Sequence, residues 1–363
     1  MSSEYEPLKV SRRDAVKGLA AVSLSVFFQP LRTAFAGGSE ESERVRIDAA
    51  TVLQQPEALA DALWLSEAEL LDTSIPLGWI DTSPVWADHP AFWSGKNCVI
   101  DVARSKNAAG TSAFTGVAEH ATWALQFAVQ KTAAEKNTFL SAGLSQDAWT
   151  DVVFTCNPEL SLTKYAALVR SLVDSSVGVI GSIPTWTTGD NGITTEAIAL
   201  VREAYEYARS RNVIIVLPAG NRGIAIAAPP DGHERVLHEL KRELSNVVCA
   251  GGVTDTLTVP TWNAGGPRGS NYGEGYITVV SPIINRHVPA AGKQVISGTT
   301  FAAGDLTSCI QAVQARIGRD AAGNLPDHEK VISCITDTAR TLGSPERFGS
   351  GLLQMQAALA AAV

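Results

Sequence analysis

The sequence carries no basic cluster. Lys and Arg number 29 against 37 Asp and Glu, a formal net charge of -8. An acidic chain without a basic patch is a poor match for nucleic acid. Nor does it contain an apolar run long enough to span a bilayer comfortably. The five cysteines (Cys98, Cys156, Cys249, Cys309 and Cys334) fall at spacings that match no metal motif and no dense disulfide framework. Three of them sit in apolar runs, where buried free thiols are expected. No internal repeat is visible. No Gly-rich phosphate loop follows the first strand-like run, which argues against a nucleotide-binding doubly wound protein. Hydrophobic residues make up 45% and charged residues 18% of 363 positions. That is a globular composition, long enough for one large domain or two ordinary ones.

The first 36 residues read as an export signal. Ser11-Arg12-Arg13 precedes the apolar run G-L-A-A-V-S-L-S-V-F-F, and A-F-A at 34–36 offers a small-residue cleavage site. The Arg12-Arg13 pair makes this a twin-arginine signal, a receptor-read address. The expected destination is periplasmic or extracellular, with no stable membrane insertion after cleavage. Residues 37–80 are assigned to an N-terminal extension and 81–363 to the main domain. A weak helix is expected around 56–70.

From residue 97 the chain alternates apolar runs with helical stripes. N-C-V-I-D-V-A at 97–103, V-G-V-I-G-S-I at 177–183, V-I-I-V-L-P-A-G at 213–220 and N-V-V-C-A-G-G-V at 246–253 read as buried strands. Residues 196–211, the stripe from Leu306, and 328–340 read as helices. Such alternation predicts an α/β fold, a mostly parallel twisted sheet with helices on both faces. Chemistry in such sheets gathers at the carboxyl ends of the strands.

Four polar residues stand at those places. Asp101 ends V-I-D, where a carboxylate could orient a histidine or simply cap a turn. His120 opens an apolar helix, placed as a general base or as an ordinary first-turn residue. Asn221 closes L-P-A-G-N, able to donate into a cleft or to make a turn with its glycines. Thr300, in S-G-T-T-F-A-A-G, precedes a helical stripe, as a hydroxyl beside the positive dipole end or as an N-cap.

Taken in order (Asp, His, Asn, hydroxyl), these contexts resemble the subtilases, the subtilisin-like serine peptidase family. There a strand ends in V-I-D-[ST]-G, a helix opens with H-G-T-H-V-A-G, a strand ends in A-A-G-N and a helix opens with S-G-T-S-x-A-x-P. This chain reads V-I-D-V-A at 99–103, H-A-T-W-A-L-Q at 120–126, L-P-A-G-N at 217–221 and S-G-T-T-F-A-A-G at 297–304. S-N-Y-G at 270–273 and the stretch 338–359 resemble the family's later segments, so the likeness covers roughly 80–360. It implies endopeptidase chemistry on a polypeptide, without cofactor or metal. Asp101 would steady the imidazolium of His120, and His120 would activate Thr300. Asn221 and the backbone N–H of Thr300 would hold the oxyanion. Ser182, Ile183 and Pro184 would line a substrate cleft beside Ala219 and Gly220.

The departures concern the nucleophile and its flanks. Thr300 stands where the family has serine. Threonine has the same hydroxyl, but its β-methyl stiffens χ1 and needs room in a packed site. Val102-Ala103, Ala121 and Trp123, Pro184, and Gly304 also depart from the motifs. Only 19 positions separate Asp101 from His120, fewer than the family pattern leads one to expect. Two readings follow: an exported peptidase with a threonine nucleophile, or an inactive pseudopeptidase that binds a polypeptide partner in the former cleft.

Overall fold

The computed structural model describes residues 75–81, 83, 85, 98–100, 106–107, 120–129, 150–156, 161–184, 193–227, 232–263, 267–284, 286–287 and 295–363. The predicted signal, the helix expected at 56–70 and Asp101 lie outside them. The chain divides into two units. The larger comprises Ile47–Thr261 and Gly269–Val363, and the smaller Met1–Arg46 and Trp262–Arg268. The larger unit carries the main sheet and the candidate site.

Its sheet is built from β1 (Leu77–Asp81), β2 (Cys98–Ile100), β3 (Lys106–Asn107), β4 (Thr150–Cys156), β5 (Val179–Ile183), β6 (Ile214–Pro218), β7 (Val247–Val253) and β10 (Val279–Pro282). The order is β10-β7-β6-β5-β1-β4-β2, with β3 also on β4, and every pairing is parallel. Short strands β8 (Thr261–Asn263) and β9 (Pro267–Gly269), and β11 (Arg286–His287) and β12 (Val295–Ile296), form two separate ribbons. The continuous Val/Ile runs of β5, β6 and β7 are buried almost throughout, as parallel strands covered on both faces must be.

Both faces are covered by helices. On one, Ile80, Ile180, Ile215 and Leu217 pack with α2 (Leu162–Asp174), α3 (Thr195–Ser210) and α4 (Gly232–Glu243). Side chains alternate along a strand, so Trp79 and Gly181 turn to the other face. There the fully buried Trp79 ring fills the space a side chain at Gly181 would need, beside Thr307. That face belongs to α5 (Thr299–Ile317), which packs on β5, β6, β7 and β10. α1 (His120–Val129), α6 (His328–Thr336) and α8 (Met355–Ala360) pack on α5 in turn. Enclosed this way, α5 is buried from Thr299 to Ala315, and its sequence is apolar or small nearly all round. α7 (Pro345–Phe348) is a single turn.

Caps set several of these ends. Ser161 Oγ accepts from Lys164 N, and Thr194 Oγ1 from Ala197 N. Asp327 Oδ1 accepts from Glu329 N and Lys330 N, starting α6 where the sequence predicts it. The main departure is at the start of the domain. Leu77–Asp81 is a central strand, flanked by β4 and β5, so the boundary expected at 80/81 falls inside β1. The run L-G-W-I-D carries only one β-branched residue and a glycine, and strand propensity alone does not single it out. Its burial between two neighbours does.

Candidate active site

Asp81 closes β1, level with Ile183 of β5 and Cys156 of β4, at the carboxyl edge of the sheet. Its side chain is fully buried and receives the ring of His120, the first residue of α1. Nδ1 lies 3.0 Å from Oδ2 and 3.2 Å from Oδ1. An ionised carboxylate only accepts, so Nδ1 carries the proton and donates. That tautomer leaves the Nε2 lone pair as the basic end. Burial of the ring opposes its charging, but the charge and hydrogen bond of Asp81 prevail and raise the His120 pKa above 6.5. Ser83 joins the same arrangement. Its N–H donates to Asp81 Oδ1 at 3.1 Å, and its hydroxyl donates to the same oxygen at 3.3 Å. The hydroxyl oxygen also accepts from Ala121 N at 2.8 Å.

The carboxylate on His120 is thus Asp81, 39 positions away. Asp101, the candidate singled out from the sequence, is outside the described residues. A signal for Asp81 is present: W-I-D-T-S at 79–83 supplies the aliphatic residue, Asp and small hydroxyl of the motif V-I-D-[ST]-G. It fits that motif better than V-I-D-V-A does, and gives the longer spacing to His120.

On the other flank, Gly220 follows β6 with φ +95°, a left-handed conformation that favours glycine. A Cβ there would also collide with Glu234 and Asn271. The turn presents Asn221 to the start of α5. Asn221 Oδ1 accepts from Thr299 N at 2.8 Å and from Thr299 Oγ1 at 3.1 Å. Thr299 Oγ1 accepts from Gly220 N at 3.1 Å. A backbone N–H can only donate, so the amide oxygen faces Thr299 and the amide NH₂ faces away, available as a donor. Thr300 follows on the first turn of α5, 8% exposed. Among the described residues no hydrogen bond takes up its hydroxyl; the bonds at this turn belong to Thr299. The first turn of α5 carries no acidic residue, and its N–H groups and dipole favour negative charge.

The Asn221 turn is braced from behind. Asn271, of the S-N-Y-G stretch, is 1% exposed. Its Oδ1 accepts from Arg222 N at 3.0 Å and Ile224 N at 3.2 Å, while its backbone N donates to Gly220 O. From α4, His238 Nε2 donates to Pro218 O at 3.1 Å.

The expected cleft residues divide. Ser182 is fully buried, and its hydroxyl is bonded to Tyr165 OH at 2.6 Å on the α2–α3 face. Ile183 is also buried, Pro184 follows half-buried, and Ala219 is held to Ala250 O through its N–H. Cys249, Cys309 and Cys334 are buried free thiols, as expected of the apolar runs. Among the described residues no group of His, Cys, Asp and Glu is arranged to hold a metal ion. No helix among them is long and apolar enough to cross a membrane.

No protein-family model matches the chain, and no curated protein does. Solved structures do. The fold is α/β and subtilisin-like, the class to which the matched serine proteases belong. A lanthipeptide protease superposes with a TM-score of 0.58 at 16% identity, covering 87% of this chain and 97% of its own. The epidermin leader peptide processing serine protease EpiP from Staphylococcus aureus gives 0.56 at 14%, covering 80% and 76%. MycP1 from Mycobacterium smegmatis gives 0.53 at 15%, covering 80% of each.

Proposed function

We propose that this chain is an exported subtilisin-like endopeptidase that uses Thr300 as nucleophile. In this reading Asp81 takes the place assigned to Asp101 from the sequence. It fixes the His120 tautomer and steadies the imidazolium. His120 Nε2 removes the Thr300 proton as the hydroxyl oxygen attacks the peptide carbonyl, then returns that proton to the leaving amine. The Asn221 amide and the Thr300 N–H stabilise the oxyanion. Water completes the cycle by hydrolysing the threonyl ester. The observation that carries the reading is the buried Asp81 carboxylate on Nδ1 of a histidine at the sheet's carboxyl edge. The twin-arginine leader supports export, with a periplasmic or extracellular destination and a domain that begins near β1.

The substrate is a polypeptide. Lanthipeptide protease and EpiP, the latter a leader peptide processing enzyme by name, support a processing role with a narrow substrate range. Pro184 supports it too: lacking an N–H, it withholds one hydrogen bond from an extended substrate backbone passing the carboxyl end of β5. Pro184 and Gly220, both half-buried, remain for substrate contact.

The rival is a pseudopeptidase that binds a polypeptide in the same cleft. The buried, β-branched Thr300 favours it, because a methyl turned towards the ring or the oxyanion site removes the attack geometry. Treating the purified mature protein with a fluorophosphonate and mapping the adduct by mass spectrometry separates the two. Labelling at Thr300 supports the peptidase. An unlabelled protein that also cleaves no peptide leaves the binding module.

A further inference from the structure

Ser83 occupies the position at which the motif V-I-D-[ST]-G, matched here by W-I-D-T-S, has glycine. A glycine there would keep the N–H bond to Asp81 and lose everything the side chain does. The hydroxyl proton goes to Asp81 Oδ1, and the hydroxyl lone pair accepts Ala121 N–H, 38 positions on. That N–H belongs to the first turn of α1 and has no partner within the helix. One hydroxyl therefore ties the strand end that carries the carboxylate to the helix start that carries the imidazole.

We propose that Ser83 is a positioning residue which locks Asp81 and His120 into register through a second bridge beside their own hydrogen bond. The inference rests on the peptidase reading for its catalytic consequence, but not for its geometry. The Asp81–His120 contact alone leaves two freedoms: rotation of the carboxylate about its terminal torsion and sliding of α1 along the sheet edge. Two donors from Ser83 fix the first, and the Ala121 bond fixes the second. Asp81 is the charged group that acts on His120. α5, packed on α1, brings Asp305, which is turned to Ser281, and Arg316 in its far last turn.

The test compares Ser83→Ala and Ser83→Thr with wild type by NMR titration of the His120 ring, by kcat and KM on a cleaved peptide, and by thermal unfolding. Ser83→Ala should lower the His120 pKa, because the ring loses its positioned carboxylate while its burial persists. It should cut kcat by about 10- to 100-fold with KM nearly unchanged, the scale of a misplacement of about 1 Å. Ser83→Thr, which keeps the hydroxyl, should restore both. If Ser83→Ala does not fold, Ser83→Cys takes its place with the same expected direction, a thiol being a weak donor of similar size. A Ser83→Ala protein that is merely less stable, with the His120 titration and kcat unmoved, overturns the proposal. So does failure of a folded Ser83→Thr to restore them. If wild type cleaves no peptide, the peptidase reading falls and the NMR titration still decides the role of Ser83.

Discussion

On one side of the site a carboxylate and a ring meet across 39 positions of chain; on the other an amide and a helix start meet across 78. The first junction is ionic. A buried charge must be matched, and Asp81 takes up His120 and two donors from Ser83 to match it. The second junction is neutral. It depends on a left-handed glycine, a threonine hydroxyl that bridges Gly220 N and Asn221 Oδ1, and a backbone N–H. The ionic side tolerates sequence change around it, because any short strand ending in Asp can deliver a carboxylate. The neutral side does not, because the turn geometry needs glycine and the amide needs a donor in one place.

Replacing Thr300, the proposed nucleophile, probes the neutral side first and gives the largest expected effect. Thr300→Ala should abolish peptide hydrolysis, by up to about 10⁶-fold, the scale for loss of a nucleophile in a subtilisin-type site. Thr300→Ser should be at least as active as wild type, since it keeps the hydroxyl and drops only the methyl. Rates are read on the cleaved peptide at equal folded concentration. Equal background rates in all three proteins would end the peptidase reading for the peptides tried.

On the ionic side, Asp81→Asn keeps the shape but offers Nδ1 the wrong partner. Loss of about 10⁴-fold in kcat is expected. Asp101→Asn should change kcat little. The opposite ranking would restore the assignment read from the sequence. The acid limb of the rate profile should lie above pH 6.5, because neutral His120 is the proposed base and Asp81 raises its pKa. Asp81→Asn should move that limb to lower pH.

The same contrast explains what was legible in the sequence. A-G-N and S-G-T-T are legible directly, since Gly220, Asn221 and Thr299 are fixed by turn and hydrogen-bond geometry that few residue types satisfy. The buried strands β5, β6 and β7 were legible as Val/Ile runs, and α3 and α6 through their stripes and caps. β1 was not. Trp79 and Gly78 weaken its strand signal, and its identity comes from packing against Gly181 and α2, which is long-range information. With β1 hidden, V-I-D-V-A is the run that stands out, and its Asp101 lies outside the described residues. The setting of the Ser182 hydroxyl is hidden for a related reason. Placement near the strand end is visible in sequence, but which face the hydroxyl takes depends on register, and register puts it against Tyr165.

Asn221→Ala tests the neutral junction more gently than loss of the nucleophile. It removes the proposed oxyanion donor and the acceptor that holds Thr299 N. A fall of about 10²–10³-fold in kcat is expected, with smaller change in KM. A rise in KM alone, with kcat intact, would mean the amide contacts substrate rather than the developing charge.

The smallest expected effect concerns stability, and it sets two histidines against each other. His120 has a carboxylate partner, so its folded pKa is raised. Its contribution is fully present below about pH 6.5 and is lost as pH rises through the folded value. His238 is 2% exposed, and burial outweighs the carbonyl of Pro218, lowering its pKa to about 4. Its neutral ring costs stability as pH falls from about 6.5 towards 4, because the unfolded chain then binds a proton that the folded one refuses. The full difference is about 3 kcal/mol, an upper figure shared with whatever relaxation admits water to the ring. His328, whose pKa burial also lowers, adds to the acid loss and faces Asn212 and Ser245 instead. Denaturant midpoints from pH 4 to 8 should therefore slope down on the acid side in wild type. His238→Gln, whose amide can still donate to Pro218 O, should flatten that slope in part and leave the His120 side unchanged. Asp81→Asn should do the reverse. If His238→Gln leaves the acid slope as steep as before, the ring is not the group that refuses the proton.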